Sequence, residues 1–346
     1  AAMPGNTVTE RTTPISKAKQ SLSAEEYYAI TKRFSYWGVQ MGGDDSIYYN
    51  GHMSQYMHTQ MVMPDGPVAE LERAIDPRLK DLTFKKKDGT STEKLGDFLV
   101  GPARKQVMMM AHKGKVVFED YPGMKPNDSH LWMSTGKTTS GLLLTQLVAE
   151  GKVNLDDMTS KYVPGLQGSA WDEIPVWATA TMSPCVDVEE TMVSIIAPGS
   201  WINNFHHTFL GEYDIPYIEQ LRTVKWHPSG EKPGDPKSYR YSSANPLVLQ
   251  FICEAVEKKP FGTLLQERVW EKTGFRNPMQ LHLAPDGMGV GYGMMSTTPE
   301  DMLRFAMLHT PSWNKVASER IVTDEMDKVY RSTARVQTYE GSVEQG

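Results

Sequence analysis

Ser134 and Lys137 stand three residues apart in Ser134-Thr135-Gly136-Lys137, directly ahead of an apolar stretch, Leu142 to Leu144, Leu147 and Val148, at helical spacing. On a helix this separation puts an amine beside a hydroxyl. A serine is inert as a nucleophile until a neighbour takes its proton, and a lysine does so when burial or nearby cations depress its pKa. The free N–H groups of a helix start also favour an anion there. The spacing alone is not distinctive, because Ser16 and Lys19, Ser91 and Lys94, Ser229 and Lys232, and Ser312 and Lys315 repeat it. A helix cap with a surface lysine is the competing reading of any such pair. Only Ser134 combines a preceding hairpin pattern with a long apolar helix behind it. A phosphate loop fails on the same residues, since the first glycine of that motif would fall on Leu131.

A second candidate is Tyr241-Ser242-Ser243, followed by an apolar helical run through Leu247, Leu249, Phe251 and Ile252. A phenol beside a lysine ammonium is favoured as phenolate, so Tyr241 could carry a proton between nucleophile and leaving group. The competing reading is a buried tyrosine at a helix start. His206-His207, with Glu212 and Asp214 nearby, offers metal ligands, but adjacent histidines point apart on most backbones and no third ligand stands at helical spacing. No metal or organic cofactor is expected. Cys185 and Cys253 could form at most one bridge and match no zinc spacing.

The elements that must position these residues can be read in outline. Val107 to His112 and Val116 to Phe118 flank Lys113-Gly114-Lys115, the pattern of a β-hairpin. The leucine-rich helix follows and stops at Glu150-Gly151, where glycine suits a left-handed cap. Further helices are expected at Ala24 to Arg33, Pro246 to Val256, Phe261 to Lys272 and Pro299 to Leu308. Lys85-Lys86-Lys87-Asp88-Gly89 reads as a solvated turn. The fold class is therefore α+β, an antiparallel sheet flanked by helices. The expected organisation is an irregular and helical extension over 1–95, the first part of the core over 96–170, an inserted, mainly helical lobe or lid over 171–240, and a helical return to the core over 241–346. In the lobe, Trp171, Trp177, Trp201, Phe205, Phe209 and Tyr213 are expected to pack over a cleft, some lining an apolar pocket.

Composition narrows the partners. The 346 residues carry 36 Lys+Arg against 42 Asp+Glu, a net charge of −6, so no global positive field attracts nucleic acid or anionic lipid. No apolar run approaches the roughly 18 residues that a membrane span needs. The Ala-Ala start fits removal of a signal peptide, hence a periplasmic or secreted location, and equally an engineered end.

In order along the chain, Ser134-x-x-Lys137, Glu150 to Asp157, Tyr162-Val163-Pro164, Met182-Ser183, Tyr241-Ser242-Ser243 and Gly293 to Thr297 resemble the serine β-lactamase-like proteins. Within them the set is most similar to family VIII carboxylesterases and 6-aminohexanoate-dimer hydrolases. The resemblance covers roughly Gln106 to Leu308 and implies a β-lactamase/transpeptidase-like fold. It also implies that Ser134 is acylated, that Lys137 is its base, that Tyr241 protonates the leaving group, and that Ser243 holds the substrate or the lysine. The implied function is a serine hydrolase acting on a small-molecule ester or amide through an acyl-enzyme. A β-lactamase or D-Ala-D-Ala peptidase, and a catalytically silent member of the fold that binds a ligand, are the alternatives. One family element, a Lys/His/Trp-x-Gly motif on a core strand, is not at its expected place. Lys272-Thr273-Gly274 has the letters of one version but is expected to stop a helix, with glycine as the cap.

Overall fold

The computed structural model describes residues 11–235 and 237–333. The first ten residues and the tail beyond 333, which the expected segments 1–95 and 241–346 include, lie outside the described residues. Three helices open the described chain, α1 (Ala24–Lys32), α2 (Tyr36–Gln40) and α3 (Asp44–Gly51), followed by strand β1 (Thr59–Val62). Ser23 starts α1 through a full capping box with Glu26. A small hairpin, β2 (Thr83–Lys85) and β3 (Thr92–Lys94), leads into α4 (Leu95–Val100), and its tip is the lysine-rich turn, where Gly89 takes φ +71°.

Next come β4 (Met108–His112) and β5 (Lys115–Asp120), paired antiparallel as their alternation predicts. The two-residue connection, Lys113 at φ 51° and Gly114 at φ 78°, is the left-handed pair that matches strand twist. Strand β6 (His130–Leu131) precedes the serine turn and helix α5 (Lys137–Ala149). Thr139, Ser140, Leu142, Leu143, Leu144, Thr145 and Leu147 are all buried, so α5 is covered on nearly every side. It ends where expected, with Gly151 at φ +73°.

The segment expected to be a lobe holds α6 (Val176–Ala180), α7 (Met192–Ile196), α8 (Trp201–Thr208) and α9 (Tyr217–Arg222). Within it Trp171 and Phe205 are fully buried, Phe209 nearly so, and all belong to one hydrophobic core that runs from Ile30 to Met326. These three aromatic side chains of the expected lobe fill the core. The indole N–H of Trp171 donates to the Leu221 carbonyl at 2.9 Å, which satisfies its one polar atom inside that core.

The chain closes with α10 (Ala244–Glu257), α11 (Phe261–Arg268), β7 (Met279–His282), β8 (Met295–Thr297), α12 (Pro299–Met307) and α13 (Asp324–Thr333). Helix α10 packs along α5. Lys272 ends a short 3-10 turn, as expected of a stop, but Gly274 is not a left-handed cap. A Cβ there would lie 2.5 Å from the Ala69 backbone nitrogen, so close approach is what requires glycine.

The main sheet is antiparallel with order β1-β7-β8-β6. A strand from the segment expected to be irregular thus forms its edge. Side-chain hydrogen bonds cross the sheet: His282 takes Thr59 at 2.9 Å on Nδ1 and Ser296 at 2.8 Å on Nε2, and the Trp132 indole donates to Thr297 at 2.7 Å. Burial pushes the His282 imidazole down to about 4. Burial also lowers His130 and His309. The unfolded chain therefore takes up protons first as the pH drops, so this stability is complete above about 6.5 and is lost as the pH falls towards 4. Urea unfolding measured in steps between those limits should show falling stability with decreasing pH, and His282→Gln should flatten the slope. An unchanged slope in that variant would place the proton uptake elsewhere.

Candidate active site

Ser134 lies in a 3-10 turn, Met133–Gly136, that feeds directly into α5. Met133 holds φ 50°, a left-handed conformation that is strained for a residue with a side chain. The turn is pressed against the segment between β7 and β8. A Cβ on Gly136 would meet the Gly291 carbonyl oxygen at 3.0 Å, and one on Gly293 would meet the Met133 carbonyl oxygen at 3.1 Å. On its far side Gly291 has the Phe261 ring 2.4 Å from where a Cβ would stand. Only glycines let two backbones cross this closely.

The crossing places the Tyr292 carbonyl 3.0 Å from Lys137 Nζ, which also reaches Ser134 Oγ at 3.1 Å. The lysine stem is half-buried and its amine sits 5.1 Å from the Tyr241 ring centroid and 5.7 Å from that of Tyr292. Tyr292 itself is buried; burial, with the nearby Tyr217 phenol, pushes its pKa far up, and its hydroxyl meets that of Tyr217 at 2.7 Å.

Tyr241 arrives from the other side. The Arg240 N–H donates to the Met182 carbonyl at 2.9 Å, and the Glu190 N–H donates to the Tyr241 carbonyl at 2.8 Å. The Ser242 N–H points at the Met182 sulfur, 3.4 Å away. Held at these points, the Tyr241 hydroxyl donates to Ser134 Oγ at 2.7 Å. Thus Ser134, Lys137 and Tyr241, separated by up to 107 residues, converge on one oxygen, and Ser134 remains open to solvent.

Ser243 is 1% exposed; its hydroxyl donates to Glu190 at 3.0 Å and its backbone N–H also donates to that carboxylate. The histidine pair is divided: His206 Nε2 lies 2.5 Å from Glu190, while His207 pairs with Glu212. Among the described residues no group of three or more His, Cys, Asp or Glu is placed to hold a metal. Both cysteines are buried free thiols. Sequence reasoning missed Glu190, His206 in this setting, and Tyr292; the Gly291-x-Gly293 spacing around Tyr292 was the available signal for the last.

Fold and site together define an α+β protein in which a serine, a lysine and a tyrosine meet at a solvent-open hydroxyl. The chain belongs to the Beta-lactamase family, whose model matches residues 104–344. It is 27% identical over 194 residues to the 6-aminohexanoate-dimer hydrolase of Paenarthrobacter ureafaciens, which covers 56% of this chain and 48% of that protein. Over 193 residues it is 21% identical to a Salmonella typhimurium protein provisionally named a D-alanyl-D-alanine carboxypeptidase, covering 54% of this chain and 43% of the other. The chain spans about half the length of the curated relatives it matches. A solved Bacillus anthracis structure, provisionally named a 6-aminohexanoate-dimer hydrolase, superposes with a TM-score of 0.66 at 18% identity, covering 78% of this chain and 71% of that one. The fold is thus β-lactamase/transpeptidase-like, as the ordered motifs implied.

The backbone crossing can be tested apart from the side chains. Gly136→Ala should push the serine turn away from the Gly291 carbonyl. Because misplacement by about 1 Å can cost on the order of 100-fold in rate, phosphonylation of Ser134 should slow at least about tenfold. A wild-type rate in this variant would show that the crossing does not position the nucleophile.

Proposed function

We propose that the protein is a serine hydrolase that cleaves a small-molecule ester or amide through an acyl-enzyme on Ser134. The observation that carries this reading is the convergence of Tyr241 O–H at 2.7 Å and Lys137 Nζ at 3.1 Å on a solvent-open Ser134 Oγ. The Lys137 amine accepts the Ser134 proton as Oγ bonds to the substrate carbonyl carbon, giving a tetrahedral intermediate. Collapse breaks the bond to the leaving group, which takes the Tyr241 proton. The Lys137 ammonium, 5.1 Å from the Tyr241 ring centroid, stabilises the resulting phenolate and is the source of the proton that restores it. Water then attacks the acyl ester by the same steps in reverse. This chemistry needs a lone nucleophile, a base and a proton donor, and asks nothing of a metal.

The names of the relatives, a 6-aminohexanoate-dimer hydrolase and a D-alanyl-D-alanine carboxypeptidase, favour amide over ester cleavage. A β-lactamase or D-Ala-D-Ala peptidase reaction would use the same three groups. A silent binder of the same fold is the rival from another class, and labelling separates them. Intact-mass spectrometry after a fluorophosphonate should show one adduct on wild type and none on Ser134→Ala. Lys137→Ala should slow hydrolysis of a p-nitrophenyl ester by about 1000-fold or more, and Tyr241→Phe by about 100-fold. No adduct on wild type would instead establish the silent binder.

A further inference from the structure

Beneath the Ser134, Lys137 and Tyr241 cluster lies a buried carboxylate that acyl transfer does not use. Glu190 and His206 have side chains only 7% and 8% exposed, and the Glu190 carboxylate meets His206 Nε2 at 2.5 Å. The same carboxylate accepts the Ser243 hydroxyl at 3.0 Å and the Ser243 backbone N–H, while the Glu190 N–H donates to the Tyr241 carbonyl at 2.8 Å. One residue therefore grips both ends of the turn that presents Tyr241. His206 is fixed in turn by stacking on Tyr36, ring centroids 5.6 Å apart, and by an edge contact with Tyr292 at 5.9 Å, whose carbonyl holds Lys137.

The group is an anion. Burial alone would raise its pKa, but the charges of His206 and Lys137 and the Ser243 hydroxyl outweigh it and hold the Glu190 carboxyl below its usual range. The ionisable neighbours of Glu190 are His206 on α8, Lys137 on α5, and the buried phenols of Tyr36 on α2 and Tyr292 before β8, both pushed up first by burial. Glu189 acts on Tyr239. Around Lys137 stand Tyr241, Tyr292 and Glu190.

We infer that Glu190 is a positioning residue for acyl transfer: its backbone N–H and its carboxylate fix the Tyr241–Ser243 turn and so place the Tyr241 hydroxyl on Ser134, and His206 seats that carboxylate. The inference rests on the reading of Ser134 as nucleophile and Tyr241 as its proton partner. A merely structural carboxylate would change melting temperature or slow the reaction whether or not the Tyr241 hydroxyl is present. It would not act through that hydroxyl.

The test is a double-mutant cycle on the rate of Ser134 phosphonylation by a fluorophosphonate, on the full chain, for wild type, Glu190→Gln, Tyr241→Phe and the double variant, with Ser243→Ala carried through the same cycle, each first melted by circular dichroism. Glu190→Gln should slow labelling by about tenfold or more when Tyr241 is present and by less than about twofold in the Tyr241→Phe background, because its effect passes through that hydroxyl. Equal slowing in both backgrounds, or none in either, would overturn the inference. If Glu190→Gln does not fold, the Ser243→Ala cycle decides it by the same comparison. Failure of wild type to label, or equal labelling of Ser134→Ala, would instead sink the hydrolase reading itself.

Discussion

The site depends on two backbones crossing at van der Waals distance. The Met133–Gly136 turn and the Gly291–Gly293 segment approach so closely that a single Cβ on Gly136 would touch a carbonyl oxygen at 3.0 Å. That proximity delivers the Tyr292 carbonyl to Lys137, and Met133 is held in a left-handed conformation one residue before Ser134. Strain of this kind, on the order of 1–3 kcal/mol, persists only where the surroundings over-determine it. Here they do so through the leucine-rich core of α5 behind the turn and through the sheet on which the opposing segment hangs. Each buried leucine of α5 contributes about 1.5–3 kcal/mol of burial, enough in sum to hold one strained residue in place.

The sheet is fixed by polar contacts as much as by apolar ones. His282 spans β1 and β8 by bonding Thr59 and Ser296, so a slip of one residue in either pairing would leave a buried imidazole without partners. An unmade hydrogen bond at a fully buried site costs more than a formed one contributes, and so this ladder specifies register. Register matters to the site because β8 follows directly from the Gly291–Gly293 segment, and β6, its neighbour, runs into the serine turn. The sheet sets the spacing of the two backbones that cross.

What the sequence made legible was local chemistry. The β4–β5 hairpin, α5 with its glycine stop, and the Ser134 and Lys137 pair all rest on separations of two to four residues, within which spacing determines geometry. Tyr241 became legible only through its order among other motifs, and it meets Ser134 across 107 residues. Glu190 stayed hidden because its partners, His206 and Ser243, lie 16 and 53 residues away and no periodicity marks a lone acid among aromatic residues. Tyr292 acts through its carbonyl, an atom that every residue has, so its identity gave no hint of that contact. Strand β1 was missed for a related reason: Thr59 to Val62 is too short to show alternation, and its partner strand stands 220 residues further on. Trp171, Phe205 and Phe209 were legible only as part of an aromatic-rich lobe packing over a cleft, because the core contacts that bury them come from distant elements.

Two ion pairs among the described residues have both partners almost wholly buried, and they differ in what they face. Asp301 and Arg304, both at 0% side-chain exposure, close on backbone: the aspartate accepts the N–H groups of Arg276 and Asn277, and the arginine donates to the Ala69 carbonyl. That pair ties the start of α12 to two loops, and Arg304 also meets the Glu300 carboxylate at 3.2 Å within the same helix, which is a structural role. Glu190 and His206 also bond a backbone N–H, but that N–H belongs to Ser243, two residues along from Tyr241, whose hydroxyl meets Ser134 Oγ. Burying an ion pair costs desolvation that its attraction barely recovers, and apolar residues of similar volume often serve stability as well or better. A carboxylate placed there is therefore poorly explained by stability alone. Its grip on the Tyr241 turn makes the placement of that phenol, and not the strength of the core, the quantity it controls.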